Sequence, residues 1–196
     1  IGLEYFGRTV YIKILPVGVH MGRLESVLNL PSTFEKVKEI EDQFHGKKLI
    51  IGVDDMDIFK GISLKLLAFE QLLQQHPSLH GKVVLVQIVN PARSSGKDVQ
   101  EAKKETYSTA RRINEAYGYP GYEPVIVIDR PVARFEKTAY YAMAECCIVN
   151  AVRDGMNLVP YKYIVCRQGS PSMDEALGSA KMESPRTSML VVSEFI

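Results

Sequence analysis

Several features that would assign a protein to a specialised class are scarce in this sequence of 196 residues. The 24 basic and 23 acidic residues leave a net charge of +1, so neither nucleic acid nor a membrane surface is indicated as a partner. Three cysteines, two of them adjacent in an apolar run, exclude a disulfide framework and predict reduced core residues of a cytoplasmic protein. No apolar run approaches the roughly 18 residues that span a bilayer, and no internal repeat is visible.

The two ends of the sequence predict a piece of a longer protein. It begins at Ile1 rather than at a methionine, so the lack of a signal peptide carries little weight. It ends at Ile196 directly after an apolar run, where a layered α/β domain normally adds a covering helix. We therefore expect residues 1–196 to form one domain, incomplete at both ends, whose 46% hydrophobic content is sufficient for a core.

Apolar, β-branched runs alternate with segments of helical periodicity along the chain. The predicted strands are Val10–Leu15, Leu49–Val53, Val83–Ile88, Val125–Ile128, Cys146–Val149 and Leu190–Val192. The predicted helices are Phe34–Phe44, Ser63–Gln75, Val99–Tyr117, Phe135–Ala144 and Asn157–Val165. Strands that are apolar on both faces and separated by helices indicate an α/β fold with a doubly wound, mainly parallel, Rossmann-like sheet. Ligands of such sheets bind at the carboxyl ends of the strands.

Residues 169–188 differ from the rest of the chain in composition. They are rich in glycine, serine, proline and acidic residues, which predicts a flexible loop insertion on the surface. Ser170-Pro171 and Ser184-Pro185 are consistent with a phosphorylated regulatory loop. A solvated insertion without a dedicated role is the alternative, and it is the more common fate of such a segment.

Three motifs fall on the predicted strand-end loops. They are Gly52-Val53-Asp54-Asp55-Met56-Asp57-Ile58-Phe59-Lys60-Gly61, Arg153-Asp154-Gly155-Met156-Asn157-Leu158-Val159 and Val191-Val192-Ser193-Glu194-Phe195. In this order, and over essentially the whole chain, they resemble the nucleotide-sugar half of trehalose-6-phosphate synthases, above all the plant class II members. The resemblance implies the C-terminal, UDP-glucose-binding domain of a GT-B glycosyltransferase, with a preceding N-terminal domain that binds most of glucose 6-phosphate.

The resemblance also implies a retaining transfer of glucose from UDP-glucose to glucose 6-phosphate, without metal or cofactor. Catalysis then depends on stabilising the departing diphosphate with positive charge. Lys60 occupies the position of the catalytic lysine, although an ordinary surface lysine at a helix start is the alternative. Asp154 occupies the position of the aspartate that binds glucose hydroxyls, and a helix-capping Asp-Gly turn is its alternative.

The residues that follow Asp154 complete the implied substrate site. The segment Gly155, Met156, Asn157, Leu158 and Val159 matches the sugar-binding loop of the family, whose backbone N–H groups face the phosphates at a helix start.

Two further positions are implied by the resemblance to contact substrates. Arg93 aligns with an arginine that reaches the phosphate of the acceptor, but a solvated loop arginine fits the sequence nearly as well. Glu194 belongs to a motif that lines the nucleotide pocket, and it is equally suited to cap a following helix.

Two residues depart from the family pattern. Asp55 stands where active members carry an arginine that supports the leaving diphosphate. Lys162 stands where they carry a glutamate that accepts hydrogen bonds from the ribose hydroxyls, and a lysine has only donors. Lys162 reaching a phosphate instead would partly offset Asp55.

Other catalytic chemistries have less support in the sequence. Asp54, Asp55 and Asp57 share one loop and are suitable ligands for Mg²⁺, but the motif is short and common, and we expect no metal site. Nothing in the sequence pairs His20 with a serine or cysteine nucleophile, so a catalytic triad is not indicated. Tyr140, Tyr141 and Met143 are predicted to be core residues.

The sequence therefore leaves two main functions open. One is an active α,α-trehalose-phosphate synthase (UDP-forming), supported by Lys60, Asp154 and Arg93. The other is a catalytically impaired homologue that acts through regulatory protein partners in trehalose 6-phosphate signalling, supported by Asp55 and Lys162. A glycosyltransferase with another donor is a third, less favoured interpretation.

Overall fold

The computed structural model describes residues 2–92, 96–176 and 187–194. Its strands are β1 (Gly2–Tyr5), β2 (Arg8–Tyr11), β3 (Lys48–Asp55), β4 (Val83–Asn90), β5 (Val125–Ile128), β6 (Cys146–Val149) and β7 (Met189–Val192). The helices are α1 (Met21–Leu28), α2 (Pro31–Gln43), α3 (Ile62–Gln75), α4 (Lys97–Tyr117), α5 (Arg134–Met143), α6 (Val159–Gln168) and α7 (Pro171–Ala176). Two single 3₁₀ turns span Ile58–Lys60 and Pro77–Leu79.

Five parallel strands form one sheet in the order β5-β4-β3-β6-β7. The central strand β3 pairs with β4 from Lys48 opposite Val83 onward, and with β6 from Ile50 opposite Cys146. The chain moves from β3 outward through β4 to β5, then returns to add β6 and β7 on the other side of β3. The strand order therefore reverses between β3 and β6, and the loops after these two strands flank the resulting crevice.

Side chains on the two faces of the sheet belong to separate hydrophobic clusters. On one face, buried side chains of β3, β4 and β6 pack against α2, α5 and α6 around Ile40, Tyr140 and Tyr163. On the other face, Leu85 and its neighbours pack against α3 and α4. Helices cover both faces of a parallel sheet, so the predicted doubly wound α/β fold is confirmed.

Most predicted elements occur within two or three residues of their expected bounds. Tyr140 and Tyr141 are buried as predicted, and Met143 packs partly buried against the same cluster. Helix α1 was not predicted, because its eight residues are too few for a clear periodicity. Within the described ranges, no helix combines the length and apolar character needed to cross a membrane.

The predicted strand Val10–Leu15 is wrong as a member of the parallel sheet. Its first residues belong to β2, which pairs antiparallel with β1 in a separate two-stranded hairpin, with Leu3 opposite Val10. The chain reverses through Phe6 and Gly7, both with positive φ. The apolar and β-branched residues that suggested a strand of the parallel sheet, such as Val10, pair instead with β1 across this tight turn.

The predicted loop insertion at 169–188 is not irregular throughout. Residues 171–176 form α7, and the Met173 side chain is fully buried in the core cluster. The Ser170 hydroxyl accepts a hydrogen bond from Met173 N (3.1 Å) and donates one to Asn29 Oδ1 (2.6 Å), which joins this segment to the end of α1. Residues 177–186, which include Ser184-Pro185, lie outside the described residues.

A buried polar network lies beneath the carboxyl end of β3. Lys65 Nζ donates to Asp54 Oδ2 (2.5 Å) and Gln87 Oε1 (3.0 Å), while Gln87 Nε2 donates to Asp54 Oδ2 (2.9 Å). All three side chains are almost completely buried. Gly52 makes room for them, because a Cβ there would lie 2.4 Å from both Gln87 Oε1 and Lys65 Nζ. The network fixes the strand end from which the following loop departs.

Replacing Lys65 with methionine removes one partner of this buried pair and leaves the Asp54 carboxylate with Gln87 alone. We expect Lys65→Met to lower the free energy of unfolding by about 3 to 5 kcal/mol, as measured by urea unfolding at neutral pH.

The matched control is Lys38→Met, which changes an exposed lysine on α2 and should alter stability by less than about 0.5 kcal/mol. A similarly small effect of Lys65→Met would contradict the structural role assigned to the network.

Candidate functional site

A cleft with a volume of about 460 Å³ opens at the carboxyl ends of β3 and β6. It lies at the crevice where the strand order reverses, which is where doubly wound sheets bind ligands. Its lining residues are Val53, Asp54, Asp55, Met56, Asp57, Lys60, Asn90, Val99, Asp154, Met156, Asn157, Leu158, Val159 and Lys162.

The loop after β3 reverses in a tight turn that presents Lys60 to the cleft. Asp57 Oδ1 accepts from Phe59 N (2.8 Å) and caps the 3₁₀ turn, which ends at Gly61 with φ +67°. A Cβ on Gly61 would lie 2.7 Å from Asn150 O, so this approach requires glycine. The Asn150 side chain in turn donates to Gly61 O (2.8 Å).

The loop after β6 is joined to this turn through the backbone. Val152 N donates to Phe59 O at 2.8 Å. Together with the contacts between Asn150 and Gly61, this bond holds the two loops that carry Lys60 and Asp154 against each other. Lys60 and Asp154 thus face one another across the crevice although they are 94 residues apart.

Lys60 and Asp154, the two predicted catalytic residues, form an ion pair. Lys60 Nζ donates to Asp154 Oδ2 at 2.7 Å, and the carboxylate also accepts from Gly155 N (2.9 Å) and Asn157 Nδ2 (3.0 Å). Burial alone would raise the pKa of the Asp154 carboxyl, but these hydrogen bonds and the Lys60 charge outweigh it and lower that pKa. The site therefore holds a charged carboxylate beside a charged ammonium.

The segment from Gly155 to Val159 forms the wall of the cleft below this pair. Asn157 Oδ1 accepts from Val159 N (2.9 Å), so α6 begins at Val159, two residues later than predicted. Met156 is 49% exposed, and Leu158 and Val159 line the cleft beside it. The N–H of Gly155 is already bonded to the Asp154 side chain, so the backbone donor predicted there serves the loop itself.

The alternative of a metal site on Asp54, Asp55 and Asp57 receives no support from their geometry. Asp54 points into the buried network with Lys65 and Gln87, and the Asp57 carboxylate caps the 3₁₀ turn. Across the ranges that the structure describes, no group of three or more histidine, cysteine, aspartate or glutamate side chains is arranged to hold a metal ion.

Asp55 faces a lysine that the sequence analysis did not identify. Asn90 Nδ2 donates to Asp55 Oδ1 (3.1 Å), and Lys137 Nζ donates to Asn90 Oδ1 (2.6 Å). Desolvation lowers the pKa of Lys137, the charge of Lys162 lowers it further, and the charge of Asp55 opposes both. Asn90 is the last residue of β4, so the expectation that ligands bind at the carboxyl ends of strands could have identified it. Lys137 lies on α5, and only the tertiary structure brings it to this site.

Lys162 lies in the first turns of α6 and borders two cavities. The second cavity has a volume of about 440 Å³ and shares Val53, Asn90, Leu158, Val159 and Lys162 with the cleft. His20 lies in this second cavity, where its Nδ1 accepts from Arg23 N (3.2 Å) and caps α1.

Of the two remaining predicted contacts, Arg93 and Glu194, the structure describes only Glu194. Arg93 lies outside the described residues. Glu194 follows β7, is exposed, and is not among the residues that line the cleft. The hydroxyl of its neighbour Ser193 donates a hydrogen bond to Ala151 O (2.7 Å), so this motif helps to fix the loop after β6.

Comparison with known proteins agrees with this arrangement. The sequence profile of glycosyltransferase family 20 matches residues 1–196. The chain is 76% identical over its whole length to the probable alpha,alpha-trehalose-phosphate synthase (UDP-forming) 9 of Arabidopsis thaliana, and 64% identical to the alpha,alpha-trehalose-phosphate synthase (UDP-forming) 5 of the same plant. It spans 22% and 23% of these two proteins.

A crystal structure shows the same fold. The alpha,alpha-trehalose-phosphate synthase (UDP-forming) of Burkholderia xenovorans, in complex with glucose-6-phosphate, matches with a TM-score of 0.84 and 26% identity, over 99% of this chain and 40% of that chain. The doubly wound sheet and its switch-point cleft thus define a domain of the GT-B class, as the resemblance implied. The chain belongs to glycosyltransferase family 20, and the resemblance to trehalose-6-phosphate synthases is confirmed.

The lowered pKa of Asp154 makes a pH-dependent contribution to stability. A carboxyl whose pKa is lower in the folded state stabilises the fold above its unfolded pKa of about 3.9, and this stabilisation is lost as the pH falls through the folded value. We expect Asp154→Asn to lower the free energy of unfolding by about 1 to 2 kcal/mol at pH 7. The deficit should shrink as the pH falls below about 4, measured by urea unfolding at stepped pH.

Asp42→Asn is the control, because Asp42 is exposed on α2 and has no ion pair within the described residues. A deficit of Asp154→Asn that stays constant from pH 7 to pH 3 would contradict a charged, hydrogen-bonded Asp154.

Proposed function

We propose that the chain is the donor-binding part of an α,α-trehalose-phosphate synthase (UDP-forming), which transfers glucose from UDP-glucose to glucose 6-phosphate. The ion pair of Lys60 and Asp154 at the switch-point cleft is the observation that carries this proposal. It places a cation suited to a diphosphate next to a carboxylate suited to sugar hydroxyls. The names of the plant relatives, which specify a UDP-forming synthase, support the same donor.

The chemistry follows from the charge that develops during transfer. As the bond between the glucosyl carbon and the diphosphate oxygen breaks, negative charge accumulates on the departing UDP, and a positioned ammonium stabilises it. Lys60 is that ammonium in our proposal, and Asp154 accepts hydrogen bonds from the glucose being transferred. The donor exchanges the Lys60–Asp154 ion pair for its own contacts with each partner. The proposed reaction uses neither metal nor cofactor.

The acceptor site is proposed to lie mainly on polypeptide beyond this chain. The related Burkholderia protein contains glucose-6-phosphate, and this chain spans 40% of it. We expect residues 1–196 by themselves to bind the donor without producing trehalose 6-phosphate. We also propose a cytoplasmic location, since all three cysteines are unpaired and Cys147 and Cys166 are buried thiols.

Asp55 supports a second candidate, a homologue that retains the fold for regulation with weak or no transfer. Its carboxylate lines the cleft beside Lys60 and is held by Asn90. Two unit charges about 5 Å apart interact by roughly 3 kcal/mol at an effective dielectric constant of 20. A carboxylate in place of a cation would therefore oppose the leaving diphosphate rather than stabilise it.

Calorimetric titration of UDP-glucose into the chain tests the proposed donor site. We expect saturable binding that weakens at least tenfold in Lys60→Met, equivalent to about 1.4 kcal/mol, because the diphosphate loses its ammonium partner. Lys104→Met, an exposed lysine on α4, is the control and should bind UDP-glucose like the unchanged chain.

The double variant Asp55→Arg, Lys162→Glu separates the two candidates. Similar UDP-glucose affinity with and without these changes would support the synthase. Binding that appears only in the double variant would support the regulatory homologue, and no binding by either form would reject a UDP-glucose site in this cleft.

A further inference from the structure

Three side chains form a hydrogen-bonded chain across the boundary between the cleft and the second cavity. Asp55 lines only the cleft, Lys137 lines only the second cavity, and Asn90 lines both. Asn90 Nδ2 donates to Asp55 Oδ1 at 3.1 Å, and Lys137 Nζ donates to Asn90 Oδ1 at 2.6 Å. We infer that Lys137 is a positioning residue, which acts through Asn90 to hold the Asp55 carboxylate at the β4 side of the cleft. Its consequence for catalysis rests on the proposed donor site.

The chemistry of the three groups allows only one orientation of this chain. An ammonium only donates and a carboxylate only accepts, whereas an asparagine amide has one end of each kind. Lys137 therefore fixes the oxygen of the Asn90 amide toward itself, and this leaves the nitrogen to face Asp55. Without the ammonium, the amide is free to turn over and present its oxygen to the carboxylate. The contact with Asp55 would then be repulsive.

Both ends of the chain are anchored by packed elements. Asp55 and Asn90 are the last residues of β3 and β4 and stand opposite each other in the parallel pair. Met56 N donates to Asn90 O at 3.3 Å, so the main chains stay joined just beyond them. Lys137 is carried by α5, whose Tyr140 side chain is buried in the core cluster. The side-chain bonds therefore decide where the Asp55 carboxylate points.

Lys137 also balances part of the charge of Asp55. The lysine is half-buried, so desolvation lowers its pKa, and the charge of Lys162 lowers that pKa further. The charge of Asp55 acts in the opposite direction, which means that the carboxylate and the ammonium stabilise each other across the Asn90 amide. A cation behind Asn90 thus weakens the negative potential that Asp55 creates in the cleft.

For the proposed donor site, this arrangement offsets the unfavourable charge at position 55. A fixed carboxylate with a cation behind it opposes a diphosphate less than a mobile, unbalanced one does. We expect Lys137→Met to weaken the binding of UDP-glucose to the 196-residue chain about tenfold, measured by calorimetry. Lys137→Arg keeps a cation and its donors and should retain most of the affinity. Lys104→Met, an exposed lysine on α4, should leave it unchanged.

A double-mutant cycle shows whether Lys137 acts through Asp55. In an Asp55→Asn chain the carboxylate is absent, so adding Lys137→Met should change the affinity for UDP-glucose by less than about twofold. Equal losses with and without the Asp55 carboxylate would mean that Lys137 contacts the donor itself or only supports the fold, and would overturn the inference. Asn90→Leu should match Lys137→Met, and combining these two changes should cause no further loss.

The Asn90 side-chain amide provides a readout that does not depend on the donor. In the free, isotope-labelled chain, its NH₂ resonances should move in Lys137→Met and in Asp55→Asn, move less in Lys137→Arg and stay in place in Lys104→Met. Unchanged resonances in Lys137→Met would contradict the positioning role. If no form of the chain binds UDP-glucose, the proposed donor site is wrong, and these resonances still decide the role of Lys137.

Discussion

The reversal of strand order between β3 and β6 is the constraint on which the site depends. No crossover helix can cover the carboxyl ends of two neighbouring strands whose connections leave in opposite directions, so the loops themselves must close the edge. Here they do so by bonding to each other, through Gly61, Asn150, Phe59 and Val152. These bonds fix the two loops relative to each other, and the fixed loops hold Lys60 and Asp154 within ion-pair distance. Beneath them, the Asp54 network anchors the end of β3 in the core.

The distribution of charge along this edge is as informative as the fold. Acidic side chains gather in the cleft and basic side chains in the adjoining pocket, and Asn90 lies at the border, bonded to Asp55 on one side and Lys137 on the other. Asp55 and Lys162, the two residues predicted to depart from the family pattern, are linked through Asn90 and Lys137: Asp55 and Lys137 both bond to Asn90, and the charge of Lys162 lowers the pKa of Lys137. Their effects on ligands are expected to depend on each other.

Much of this fold could be predicted from periodicity, because parallel strands buried on both faces produce continuous apolar runs such as Val83–Ile88. The strand Val10–Leu15 was misassigned because a hairpin and a sheet strand of that length have the same composition. Lys60 and Asp154 were predicted because both lie on loops at the carboxyl ends of strands, and the resemblance supplied their roles. Arg134 and Lys137 were not predicted to line a cavity. Both lie in the first turns of α5, and the sequence does not indicate that these turns border the second cavity.

The bonds between the two loops also limit how this site can be altered. Gly61 and Asn150 meet at a distance that leaves no room for a methyl group, and Phe59 and Val152 are joined through their main chains. A residue inserted into either loop would shift one half of the contact away from the other, whatever its side chain. The two loops thus form one structural unit. Transferring this site to another scaffold would require moving both loops together and keeping the distance between them.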